Sequence, residues 1–191
     1  MNTTGKILVT TVCLASLMPA VAQDYRGGLL YDIKGPVKEF KLKTQFKACQ
    51  KKVKFTRDGM VKNNMFAYDN EGLPTGMSIN FGNKYSVLSI QWEEGPKVSE
   101  ITLNENFYRP VVVTYTPEYS EDGLLKSYRW DRTETTKEGD VKEWVLMEYS
   151  APVYDEHGNW IRRHVSASGE VDGKYGTSEF DEERVIRYYT E

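Results

Sequence analysis

Cysteine and histidine are nearly missing from this 191-residue chain, which holds two of each. So few rule out a multi-disulfide scaffold and a Cys/His zinc cluster. Helical periodicity is missing as well: no window carries apolar residues at 3.6-residue spacing for three turns, so any helix is minor. The chain has no Gly-rich phosphate loop, no zinc-protease helix and no Gly-x-Ser-x-Gly elbow, and therefore no familiar catalytic signature. With 15 Gly and 7 Pro it is neither collagen-like nor low in complexity. Aromatic residues are abundant instead, at 13%, with 13 Tyr, 7 Phe and 4 Trp. That bias favours strands.

The N-terminus reads as an address. One base, Lys6, precedes an apolar stretch from Ile7 to Met18, which leads into Pro19-Ala20-Val21-Ala22. A short basic region, an apolar run and a small-x-small site describe a secretory signal peptide cleaved after Ala22. The run is too short for a transmembrane helix, which needs roughly 20 apolar residues. Cys13 follows the bulky Val12 and does not suit a lipoprotein signal. Residues 23–191 are then one exported domain, periplasmic or at the cell surface, with a net charge of −4 and a single cysteine, Cys49. A lone thiol cannot bridge within the chain, and its partner would be another copy.

One motif recurs along this domain: an aromatic, an acidic or polar pair, and a glycine followed by apolar residues. Copies are Tyr31-Asp32-Ile33-Lys34-Gly35, Phe55-Thr56-Arg57-Asp58-Gly59, Tyr68-Asp69-Asn70-Glu71-Gly72, Trp92-Glu93-Glu94-Gly95, Tyr119-Ser120-Glu121-Asp122-Gly123 and Tyr154-Asp155-Glu156-His157-Gly158. Phe180-Asp181-Glu182-Glu183-Arg184 is a variant without the glycine. The physical reading is a hairpin corner. The aromatic ends a strand, Asp accepts bonds from backbone amides two and three residues on, and Gly takes the left-handed conformation.

Segments between the corners alternate with period two. Phe40, Leu42, Thr44 and Phe46 fall on one face, with Lys41, Lys43 and Lys47 on the other. Leu88, Ile90 and Trp92 form another such set, and so do Val111, Val113 and Tyr115. Further turn signals stand at Phe81-Gly82-Asn83, Lys137-Glu138-Gly139-Asp140 and Ser168-Gly169. The rhythm predicts an all-β fold, an antiparallel meander of tandem hairpins forming an extended or curled sheet with little or no helix. The Tyr-Asp-x-x-Gly corners, best in Tyr154-Asp155-Glu156-His157-Gly158-Asn159-Trp160, resemble the YD repeats of RHS-type proteins. The tandem-hairpin layout is similar to that of small secreted proteins of Bacteroidota-type bacteria. The resemblance implies an exported β-repeat scaffold without catalysis.

Reactive groups are sparse. His157 sits in a corner where other copies carry Glu71 or Asp122, and His164 alternates with Val165 beside Arg162 and Arg163; both read as surface imidazoles. Cys49 shares a face with Lys47, whose charge favours a thiolate, but no histidine is near in sequence. Carboxylates cluster at Glu93-Glu94, Glu121-Asp122, Asp155-Glu156 and Asp181-Glu182-Glu183, where turn formation and solvation account for them. Asp69-Asn70-Glu71-Gly72 lacks the ligand run of a calcium loop. The reading has no metal, no cofactor and no catalytic residue.

Charge is unevenly placed. Residues 34–62 hold ten bases and two acids, and the rest of the chain is strongly acidic. The Lys41, Lys43 and Lys47 face is a candidate site for an anionic glycan or acidic partner, or else a device that keeps strand edges from pairing. Trp92 ends a strand and Trp160 opens one, so each could present a ring face to a sugar or peptide, or fill the core. An exported acidic protein is a poor match for nucleic acid. The expectation is a non-enzymatic, exported module that recognises a glycan or an envelope protein. The rivals are a glycan hydrolase or lyase using turn carboxylates, and a structural subunit assembling through strand edges or Cys49.

Overall fold

The computed structural model describes residues 31–46, 50–62, 66–93, 97–121 and 123–190. The expected signal peptide (residues 1–22), Lys47 and Cys49 lie outside them. Eleven strands follow one another: β1 (Val37–Thr44), β2 (Lys51–Lys54), β3 (Ala67–Tyr68), β4 (Pro74–Phe81), β5 (Lys84–Trp92), β6 (Val98–Asn106), β7 (Pro110–Tyr119), β8 (Leu125–Thr136), β9 (Gly139–Tyr154), β10 (Trp160–Val171) and β11 (Lys174–Tyr188). They form one antiparallel sheet in the order β2-β1-β11-β10-β9-β8-β7-β6-β5-β4-β3. From β3 to β11 this is a plain meander, and β1 closes back on β11 through Val37↔Tyr188 to Thr44↔Glu182.

The sheet is unclosed but curled. Its free edges are β2 and β3, which are consecutive in the chain. After β2 a small hairpin returns, with Phe55 bridged to Val61 and the Lys62 amide donating to the Lys54 carbonyl. From Lys62 to Ala67 the chain can reach at most about 18 Å, so the two edges stay close. Curling turns one face of every long strand inward onto a single apolar core. That core includes Phe40 and Leu42 of β1, Leu88 and Ile90 of β5, Val113 and Tyr115 of β7, Trp130 of β8, Val145 and Met147 of β9, and Val165 of β10. The alternation in sequence dictates this, because side chains two apart share a face. The outward face is polar and carries ion pairs such as Arg129–Asp131 and Arg162–Asp181. No helix among the described residues is long and apolar enough to cross a membrane.

The corners share one geometry. In the 56–60, 69–73, 120–124 and 155–159 loops the first residue's amide donates to the fifth residue's carbonyl, and the glycine amide to the first residue's carbonyl. The glycines at 59, 72, 123 and 158 have φ of 83°, 80°, 79° and 74°, the left-handed region. Asp69 Oδ1 accepts from the amides of Glu71 and Leu73, and Asp155 Oδ1 from those of His157 and Asn159. The second acceptor contact is thus four residues on, one further than expected, because the loop includes the residue after glycine.

Three expected turns are not hairpin turns. Tyr31–Gly35 is an entry segment: Tyr31 and Ile33 are buried, and Lys34 is clamped by Asn159 through bonds of 2.6 and 2.9 Å. Phe180–Arg184 runs through the middle of β11, because without a glycine the chain simply continues its alternation. Ser168-Gly169 lies inside β10; a Cβ on Gly169 would meet the Trp144 carbonyl oxygen at 2.3 Å, so the glycine permits close strand approach. The true β10–β11 turn is Asp172-Gly173, both at positive φ. Lys41 is exposed where β1 is bonded on both sides, opposite Lys52 of β2 and Val185 of β11, and guards no edge there; Lys43 is exposed one residue past the last β1–β2 pair, Leu42↔Lys51. The edge on that side is β2, whose exposed residues are Lys52 and Lys54.

Candidate functional site

The sheet splits at one end. The β8–β9 ladder stops at Ser127↔Glu148, whereas β9 runs on to Tyr154 paired only with β10. Two register shifts mark this stretch of the β9–β10 ladder, and Ala151 has a φ of 47°. Such irregularities bend a strand and re-aim its side chains. A cleft of about 270 Å³ opens between the Ser120–Leu124 corner and the projecting end of β9. Leu124, Lys126, Ser150, Pro152 and Tyr154 form its mouth and walls; Tyr149, Trp160, Arg163 and Asp32 form its floor.

The floor is a stack of alternating rings and cations. Arg163 lies between Tyr149 and Trp160, its guanidinium carbon 3.5 and 4.0 Å from their centroids. Arg184 covers Trp160 on a further contact of 3.5 Å and stands 5.1 Å from Phe40. The register shifts make this possible, because they bring Trp160 and Arg163, three residues apart, to the same interior. Arg163 donates from Nε and Nη2 to Glu182 Oε2 at 2.9 and 2.7 Å. Arg184 Nη1 donates to the Asp32 carbonyl at 3.0 Å.

Burial sets the electrostatics. Desolvation opposes the charge on Arg163, yet Glu182, Tyr149 and Asp32 hold its pKa above the ordinary value. Arg184 loses more by desolvation than Asp32 and Glu182 return, with Arg163 repelling it, and drops to about 9. Lys51, whose ammonium lies 5.7 Å over the Tyr31 ring, is pulled down to about 7 by desolvation, against the charge of Glu182. Asp32 is pushed up by desolvation despite the two arginines.

The residues singled out from sequence are scattered. Trp160 opens β10 as expected, but at 3% exposure it presents no free face. Trp92 is half-buried, donates from Nε1 to the Pro74 carbonyl at 2.8 Å, and belongs to β5, three strands from β8, outside the cleft lining. Lys41 and Lys43 stand on the outer face of the sheet. His157 packs against Tyr188 at 4.0 Å, and His164 meets Asp181 at 3.1 Å on the outside. Of the acidic runs, Asp155 is occupied by its own corner and by Tyr188. Glu182 points inward, while Asp181 and Glu183 point out. Sequence reasoning missed Arg163, Asp32, Tyr149 and Lys126. Among the described residues no three His, Cys, Asp or Glu side chains are placed to hold a metal ion.

Neither a family model nor a curated protein matches this sequence. Among solved structures, it aligns with a porin-like protein from Bacteroides uniformis at 9% identity and a TM-score of 0.25, over 81% of this chain and 99% of that one.

Proposed function

We propose that the protein is an exported, non-enzymatic binding module that takes part of a macromolecular ligand, a glycan or an envelope protein, into the cleft between β8 and β9. The observation that carries this reading is the interrupted ladder. The β8–β9 ladder ends at Ser127↔Glu148, two residues from the start of β8, and β9 runs on to Tyr154 beside a cavity whose floor is a pre-packed aromatic and cationic stack. Concave sites with mostly apolar walls and a few convergent polar groups are the usual form of ligand pockets. The test is binding of the mature chain to immobilised envelope glycans and proteins, with Tyr154→Ala and Lys126→Glu as cleft variants. Retention lost in both variants while the unfolding midpoint holds supports the reading; retention indifferent to both refutes it.

One observation favours a second reading, a glycan hydrolase. Asp32 is a carboxyl on the cleft floor whose pKa is raised by desolvation, the property of a general acid. Glycoside hydrolysis needs a second carboxylate across the sugar bond. Glu182 is tied to Arg163, and Asp155 to its corner, so neither suits that task. Release of reducing ends from a bound glycan would establish the hydrolase instead.

A further inference from the structure

The two ends of the meander are built differently. Consecutive turns of a meander alternate between its ends, so the corners at 69–73, 120–124 and 155–159 share one end. The turns joining β4 to β5, β6 to β7, β8 to β9 and β10 to β11 share the other. Exposed large hydrophobic side chains collect at this second end: Phe81, Tyr85, Tyr108, Val112, Val141 and Tyr175 all lie within three residues of one of its turns. Phe81 closes β4 at 66% exposure, and Tyr108, in the β6–β7 turn, is 95% exposed. Their hairpins are neighbours, since β5 pairs with β6 through Tyr85↔Asn106, and the Lys84 ammonium lies 5.4 Å from the Tyr108 ring centroid. Bare rings on adjacent tips form an apolar patch, and such patches mark interaction surfaces.

Charge at these tips favours a lipid surface. Residues 78–86 and 106–117 contain one base each, Lys84 and Arg109, and no acid. The carboxylates behind them are engaged within the fold. Glu105 accepts from the Ser86 hydroxyl at 3.1 Å, and Glu134 accepts from Arg109 at 3.0 Å and from Arg132. The Arg109–Glu134 bond also ties the β6–β7 tip to β8, so Tyr108 is presented on an anchored turn. The β8–β9 tip, with Lys137, Glu138 and Lys142, is charged and sets the polar limit of the patch. Phe81 and Tyr108 together expose roughly 300 Å², taking roughly 150–250 Å² for a whole aromatic side chain. A stable protein interface covers about 800 Å² on each partner, far more than two tips offer. Immersion in a bilayer needs no matching surface. A tyrosine with a base beside it suits the lipid–water boundary, where the ring is buried and the charge stays among the headgroups. We propose that the β4–β5 and β6–β7 tips seat the protein on a bilayer surface, with Phe81 and Tyr108 in the lipid–water boundary and Lys84 at the level of the phosphates. The corners then point away from the bilayer, which leaves the cleft open to its ligand.

Co-sedimentation of residues 23–191 with vesicles of phosphatidylethanolamine and phosphatidylglycerol tests this. The protein should pellet with the vesicles and stay in solution without them. Phe81→Ser combined with Tyr108→Ser should weaken partitioning about tenfold or more, the worth of burying a ring side chain. The thermal midpoint should hold, because both positions are exposed; if the pair unfolds, Tyr108→Ser alone carries the test. Salt at about 0.5 M should leave most of the binding, since ring burial is not screened as exposed charge is. Lys41→Gln with Lys43→Gln, on the outer face of β1, should leave it unchanged. Failure of the parent to partition overturns the proposal, and so does partitioning indifferent to the ring changes. Partitioning abolished by salt or by the β1 changes overturns it in favour of an electrostatic contact through the basic face. A concentration-dependent dimer that the ring changes dissolve, without vesicle binding, overturns it in favour of a second copy. The cleft reading is tested separately by envelope retention and stands or falls apart from these outcomes.

Discussion

Removing Glu182 should destabilise this protein far more than removing any surface carboxylate. Glu182 and Arg163 side chains are 2% and 7% exposed, joined by two hydrogen bonds of 2.7 and 2.9 Å. Breaking such a buried pair from one side costs on the order of 3–5 kcal/mol, because the surviving charge is left without its partner. Arg184 also stands over the Trp160 ring and, although Asp32 is its larger counter-charge, Glu182 attracts it as well, so the loss of Glu182 is felt at both guanidinium groups. Glu182→Met and Arg163→Met should each fall in that range, with about 1 kcal/mol of the second from lost ring contacts. The double variant removes one charge of each sign and should be well short of the sum, with a coupling of about 2–3 kcal/mol. Urea unfolding followed by tryptophan fluorescence at pH 7 measures all three. Salt at 0.5 M should barely alter the result, since buried pairs are weakly screened, a concentration at which exposed pairs are strongly damped. A single-variant loss under about 1 kcal/mol, or additive singles, would refute a buried, mutually dependent pair.

Other expectations follow from the same geometry. Gly158→Val should cost about 1–3 kcal/mol, because a β-branched residue resists the left-handed corner; an unmoved thermal midpoint contradicts it. Gly169→Ala should cost about 3 kcal/mol, the top of the ordinary range, since its Cβ would press the Trp144 carbonyl of the neighbouring strand. Lys51 has a folded pKa near 7 against an ordinary 10.5. Between those values the unfolded chain holds a proton that the folded one has released, so stability should climb with pH, by up to about 1.4 kcal/mol per unit, and level off below 7. Lys51→Met should flatten that rise, and unfolding curves between pH 6 and 9.5, below the titration of unfolded tyrosine, would reveal whether it does. Lys41→Gln with Lys43→Gln should reduce retention on a sulfated polysaccharide column without promoting self-association in light scattering; increased self-association would restore an edge-protecting role.

The meander was legible because each of its signals is local. A corner needs an acceptor at one position and a glycine three further on, and Asp69 with Gly72 and Asp155 with Gly158 supply both within five residues. The alternation that curls the sheet is equally local, as in Phe40, Leu42 and Thr44. Tyr31–Gly35 misled because it has corner chemistry, yet its neighbours in space, Asn159 and Arg184, are more than a hundred residues away. The cleft was illegible for a related reason. Trp160 and Arg163 have the wrong spacing for one face of a strand, and only the shifted register against β9 brings both inside. Glu182 stands in an acidic run that reads as a solvated turn, and nothing near it names Arg163 as its partner. Lys41 and Lys43 were placed correctly on one exposed face, but whether a strand is an edge depends on β11 arriving from the far end of the chain.

The central claim is that ligand enters where β8 and β9 part. Hydrogen–deuterium exchange on residues 23–191, with and without solubilised envelope glycan, tests it most directly. The account predicts slowed exchange confined to residues 120–126 and 149–154, with the glycan recovered intact. Slowed exchange over β1 and β2 instead, or shortened glycan in the recovered sample, would contradict it.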